Sequence, residues 1–180
     1  MATDAPVDER NLDGYDAPLI EWSRVRDALE GGLSHQAPQT GGPDRHTAWL
    51  ATVNPDGTPH VMPVGVMLVD GSLYFTSGAG TRKAKNLAQI PHCAITVATY
   101  PFDLVMEGEA VRVTDEAKLQ RIAQVFSSQG WQPTVRDGAF YAEFSAPSAG
   151  PPPWDVYEMT PTTVYALGAA EPYGATRFRF

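Results

Sequence analysis

The sequence predicts a mainly β domain, a small β-barrel with flanking helices. Short apolar runs suited to strands recur from His46 to the carboxyl end. Turn signals of the hairpin type, Asn54-Pro55-Asp56-Gly57 and Asp70-Gly71, separate the early ones. Helical character is confined to a few segments, near Trp22, Arg82 and Ile122. Six or seven antiparallel strands with so few helices fit a small barrel.

The elements follow in order. Residues 1–15 are polar and lack periodicity, so they are expected to be disordered. Leu19, Trp22, Val25, Ala28 and Leu29 recur at helical spacing and predict an amphipathic helix ending at Gly31-Gly32. Ser34 to Asp44 is a Gly/Pro/Gln-rich connector, which divides the chain into an extension over 1–44 and a barrel domain over 45–180. Ala48 to Val53 is the first barrel strand. In the turn after it, Pro55 pre-sets φ and Gly57 accepts a positive one. Thr58 to Val69 is a second strand interrupted by Pro63, which has no N–H for a ladder and marks an edge or a bulge.

Ser72 to Thr76, Cys93 to Thr99 and Leu104 to Val113 are further strands. Asp115 or Thr114 caps a helix with Leu119, Ile122, Ala123 and Phe126 on one face. Ser145 to Pro153 is an irregular loop. Val156 to Met159, Thr163 to Leu167 and Thr176 to Phe180 are the late strands, and no internal repeat is present.

The run Ser77-Gly-Ala-Gly-Thr-Arg-Lys-Ala-Lys-Asn-Leu87 follows the apolar strand and opens a short helix that stops before Pro91. Its cations, Arg82, Lys83 and Lys85, crowd the end of the helix where the macrodipole is already positive and backbone N–H groups are unfilled. An external anion, typically a phosphate, offsets both.

Composition narrows the partners. The chain has 180 residues, 43% hydrophobic and 19% charged, with a formal net charge of −8. That acidity argues against non-specific nucleic-acid binding and against anionic membranes, while a local basic patch suits a small anionic ligand. The single cysteine, Cys93, reads as a buried structural thiol. With no signal-like start and no long apolar run, a cytosolic protein is expected. His35, His46, His60 and His92 are scattered without metal-ligand spacing, and no Gly-x-Ser-x-Gly elbow appears. A phosphate site with no evident catalytic set suggests that a bound cofactor carries the chemistry. No metal and no catalytic side chain is assigned.

The order strand, Asn-Pro-Asp-Gly turn, strand, Asp-Gly turn, strand, Thr-Arg-Lys helix and Asn-Leu resembles the flavin-binding split β-barrel superfamily. This group includes the pyridoxamine 5′-phosphate oxidases and the flavin/deazaflavin oxidoreductases. The likeness covers about Thr47 to Leu167 and is most specific in His60-Val-Met-Pro-Val64 and Leu73 to Leu87. It implies a pyridoxamine 5′-phosphate oxidase-like FMN-binding fold. Val61, Met62, Pro63 and Val64 would run along an isoalloxazine-type ring. Thr76 and Ser77 would supply hydroxyl or backbone contacts, and Thr81, Arg82 and Lys83 would hold phosphate, with Lys85 adding charge. Trp154 and Trp131 would offer aromatic surface to a pocket or interface, or else belong to the core.

Pyridoxamine phosphate oxidases carry an Arg-x-Val-Leu-Leu-Lys strand, whereas the matching strand here is His-Val-Met-Pro-Val-Gly, with neither cation. The basic helix instead resembles the actinobacterial branch that binds the deazaflavin coenzyme F420. Arg177 and Arg179 resemble that branch too, as contacts to an anionic tail or as outward residues of an edge strand. The resemblance implies a homodimer acting on a small molecule. The function it implies is an F420H2-dependent reductase delivering hydride to an unsaturated organic substrate. The alternatives are an FMN-dependent oxidoreductase of the same fold and a non-catalytic binder of a cofactor, haem or lipid-like ligand.

Overall fold

The computed structural model describes residues 5–33, 36–39, 42 and 45–180. In chain order the elements are β1 (Asp8–Asn11), α1 (Trp22–Gly32), β2 (Ala48–Val53), β3 (Pro59–Val64), β4 (Met67–Val69), β5 (Ser72–Ser77) and α2 (Arg82–Leu87). There follow β6 (His92–Ala98), β7 (Phe102–Arg112), α3 (Glu116–Ser128), β8 (Thr134–Arg136), β9 (Ala139–Tyr141), β10 (Asp155–Gly168) and β11 (Ala175–Arg179). Nine of the strands form one antiparallel sheet, with β8 and β9 apart as a small hairpin.

The long strand β10 organises this sheet. One of its edges pairs with β7 along its length, from Tyr157 opposite Arg112 to Gly168 opposite Phe102. The other edge is shared: Asp155–Met159 pair with β5, and Thr163–Leu167 pair with β11. The sheet therefore divides halfway along β10, which is the split of a split barrel. The two late strands expected from sequence are halves of this one. The interruption at Pro161 and Thr162 is a register shift that the ladder absorbs. Gly108 lies opposite Pro161, where any Cβ would collide with the Thr160 carbonyl oxygen.

Residues 8–11, expected to be disordered, form β1 instead. They extend the sheet beyond β11, and Asp8 pairs with Arg177 at 2.6 Å. All four residues are exposed, so the strand has no buried face to imprint alternation on its sequence. It also means that β11 is not an edge strand, and that the carboxylate partner of Arg177 comes from the extension. On the opposite side the sheet path ends at β3, where Pro63 pairs with Trp49 and the missing N–H costs no ladder bond.

Two apolar cores result. The first fills the barrel with the inward residues of β2, β5, β6, β7 and β10, closed by α1 through Val25, Leu29 and Trp22. The Trp22 ring lies 5.2 Å from Phe178 and 4.9 Å from Phe180. In the second, the face of α3 carrying Leu119, Ile122 and Phe126 packs with Trp131, Phe140 and Trp154 over Met67, Val69 and Tyr74. Asp115 starts α3, accepting from the Lys118 N–H at 2.7 Å. No helix among the described residues is long and apolar enough to cross a membrane.

Candidate cofactor site

The site is built at the end of β5. Thr76 and Ser77 close the strand, Gly78-Ala79-Gly80 turn the chain, and Thr81 caps α2 by accepting from the Ala84 N–H at 3.3 Å. The Ser77 and Thr81 hydroxyls lie 2.7 Å apart, joining strand end to helix start. Asn86, buried on α2, donates to Thr52 and Asn54 at 3.1 Å each and holds the helix against the end of β2. The helix is therefore fixed from both sides.

Its cations do not act together. Residues three apart share a helix face, so Arg82 and Lys85 both face solvent while Lys83 turns inward. Arg82 borders a hollow with Asn54, Asp56 and His60. Lys85 borders a groove with Asp155 and Tyr157, where Arg112 pairs with Asp155 at 2.8 Å. Lys83 is only 8% exposed and lines a cavity of about 320 Å³. It has no hydrogen-bond or ion-pair partner among the described residues, and burial pushes its ammonium below the ordinary 10.5. A buried charge without a partner is costly, so an anion in the cavity would relieve it.

Pro63, Val64, Thr76 and Ser77 line the same cavity, so the structure brings together five of the residues expected from sequence. Thr81 stands behind them, bonded to Ser77 and bordering an adjoining groove that shares Ser148 and Ala149 with the cavity wall. Met62 is half-buried, and Val61 is 51% exposed opposite Ala51. Trp154 is 1% exposed, 5.8 Å from Trp131, and its indole N–H donates to Gly150 O at 3.1 Å; it belongs to the second core.

Ser145–Ala149 of the irregular loop form another wall of the cavity. Gln36–Gln39 of the connector, Arg45 just after it and Phe126 at the end of α3 line it too and were not anticipated. None of these has a local signature, because each meets the cavity only through long-range packing. Cys93 is buried, and its thiol is pushed up to about 12, chiefly by burial. Among the described residues no three His, Cys, Asp or Glu gather as metal ligands.

Residues 37–168 match the family model described as pyridoxamine 5′-phosphate oxidase. The chain belongs to the pyridoxamine 5′-phosphate oxidase family. This family is one of flavin-binding oxidoreductases, and its fold is the split barrel seen here.

Among solved structures, a pyridoxamine 5′-phosphate oxidase-related, FMN-binding protein from Nostoc punctiforme aligns at a TM-score of 0.55 and 21% identity, covering 88% of this chain and 90% of that one. PhzG from Burkholderia lata, solved with tetrahydrophenazine-1-carboxylic acid, aligns at 0.52 and 13% identity, covering 87% and 80%. An F420 reductase aligns at 0.47 and 21% identity, covering 75% and 94%, a likeness too low to bear on the cofactor. At these identities the likeness shows the fold alone. No curated protein matches the chain.

The donor set fits the phosphate-bearing end of such a cofactor. One buried ammonium and the Thr76 and Ser77 side chains line one cavity, and no carboxylate among the described residues stands in its walls. At about 320 Å³ the cavity lies near the lower end of the usual 300–1,000 Å³ for ligand pockets, so it would enclose only part of such a cofactor.

Proposed function

We propose that the chain is a cytosolic oxidoreductase that uses the deazaflavin F420, as F420H2, to reduce an unsaturated small organic molecule. The observation that carries this reading is Lys83, buried on the wall of the cavity without a partner among the described residues. Its ammonium would hold the cofactor's phosphodiester, with Thr76 and Ser77 beside it. When bound, the cofactor supplies hydride.

Charge favours the deazaflavin over FMN. A phosphate monoester carries about −1.5 to −2 at neutral pH, a diester a single charge. The strand Pro59–Val64 contributes no Lys or Arg, so of the β3, β5 and α2 walls only Lys83 brings a cation to the phosphate, which suits a diester; the cavity's other cation, Arg45, comes from the segment before β2. The chain's own part is binding and orientation: Pro63 and Val64 form a wall without charged groups, and the fixed α2 holds Lys83 in place.

The partly open cavity also supports a homodimer. Trp49 and Val61 are 45% and 51% exposed, both on the strand pair that carries Pro63. A second protomer against this face would cover apolar surface and complete the cofactor enclosure.

Titration of the purified chain with F420 and with FMN, followed by fluorescence quenching, tests the reading. F420 is expected to bind more tightly. Stoichiometric FMN retained through purification with no F420 binding overturns the cofactor choice. A chain that binds neither but holds haem or a lipid-like molecule overturns the enzyme.

A further inference from the structure

The cavity holds a second cation, Arg45, between the connector and the start of β2. Although the chain carries 21 acidic residues against 13 basic ones, no acid among the described residues lines the cavity. The Arg45 guanidinium spends one bond, 3.0 Å to the Thr47 hydroxyl, and forms no ion pair among the described residues. A guanidinium has five N–H donors in a planar fork, so most remain available to a ligand.

The position of Arg45 is built. Its backbone N–H donates to Gly42 O at 3.2 Å. The Gln36 side chain donates to the His46 carbonyl, and the Gln36 N–H donates to Gln129 Oε1 at 3.3 Å. The Gln36 carbonyl packs so closely on Gly65 that a Cβ there would collide with it. These contacts clamp the connector over the end of β3.

The two cations differ in company. Lys83 sits with the β5 hydroxyls, a setting for phosphate. Arg45 belongs to a lining that also includes Ala37, Pro38, Phe126 and Pro147, whose side chains offer a ligand no hydrogen bond. A fork-shaped donor beside an apolar wall matches a planar carboxylate on an apolar body.

We infer that Arg45 receives the carboxylate of the substrate, which is therefore a small, otherwise apolar organic acid. This deepens the function proposed above and rests on it for the cavity's being the substrate site.

The test uses trans-cinnamate, crotonate and neutral cinnamamide as probes, with calorimetric titration of the full wild-type chain and of R45Q, R45K and K83Q. Cinnamate is expected to bind about tenfold or more tightly than cinnamamide. R45Q should abolish that preference, R45K should keep part of it, and K83Q should leave it in place. Equal binding of cinnamate and cinnamamide overturns the inference, as does failure of both acids to bind at millimolar concentration. So does an R45Q variant that loses cofactor affinity while keeping the preference for cinnamate. Melting curves of R45Q and R45K separate misfolding from lost recognition, and R45K carries the test if R45Q fails to fold. A carboxylate preference that depends on Arg45 in a chain binding neither F420 nor FMN sinks the proposed cofactor alone. Cofactor binding that depends on Lys83, without any carboxylate preference, sinks this inference alone.

Discussion

Lys83→Met keeps the unbranched stem of a side chain that is 8% exposed and removes its ammonium. If that ammonium holds the cofactor phosphate, the variant loses at least one charge-assisted hydrogen bond, worth about 1.5–3 kcal/mol. At about 1.4 kcal/mol per decade, the dissociation constant should rise roughly tenfold to a hundredfold. Stability should move the other way. In the cofactor-free protein burial holds the Lys83 ammonium below its ordinary 10.5, so the folded state is penalised at neutral pH. That penalty is complete below the folded-state value and fades as pH rises from there towards 10.5. The variant should therefore melt above the wild type at pH 7, and the gap should narrow in alkali. Fluorescence titration and melting curves across pH read both effects. Arg82→Gln and Lys85→Gln are the controls: both side chains are exposed, and at physiological salt each should change affinity less than about threefold. Unchanged affinity in the Lys83 variant, with a large loss in the Arg82 variant, would refute the buried-lysine account and move the anion to the solvent side of α2.

Light scattering should report a dimer at micromolar concentration, and Val61→Glu, which sets a charge on the exposed face of β3, should yield a monomer with weaker cofactor binding; an unaffected dimer excludes this face. Gly108→Ala should destabilise by about 3 kcal/mol or more, because its Cβ meets the Thr160 backbone rather than a flexible side chain, and urea unfolding measures the loss. Burial pushes the Glu158 carboxyl up, but hydrogen bonds from Tyr74 at 2.6 Å and Lys118 at 2.9 Å outweigh it and hold it below the ordinary 4.5. Its contribution is complete above pH 4.5 and is lost as pH falls through the folded value, so Glu158→Gln should flatten the acid side of a plot of melting temperature against pH.

Local chemistry accounts for much of what could be read before the fold was known. β2 runs over Ala48–Val53, the span its alternation predicts, since one of its faces is buried and the other is not. The turn at 54–57 closes with Gly57 at φ +84 and its N–H on Asn54 O, as the Pro and Gly positions require. Asp115 caps α3, and the apolar stripe expected on that helix is the one that packs. That Pro63, Val64, Thr76, Ser77 and Lys83 share one cavity wall was legible for a related reason. Its members lie on one β3–β5–α2 run whose turns and cap are written in consecutive residues.

The remaining features depended on distant partners. β1 has no buried face, and it exists because β11 offers an open edge and Arg177 offers a charge to Asp8. β10 continues through Pro161 because Gly108, more than fifty residues earlier, leaves room for the bulge. Most of all, the sequence by itself determined that three cations would cluster at the start of α2, but only the tertiary structure decided that one of them would matter differently. Helical rotation sends Arg82 and Lys85 to water, and the packing of α2 against β2 and β5 takes Lys83 out of it. Charge is a property of the residue. Its desolvation, which makes an anion worth binding, belongs to the fold.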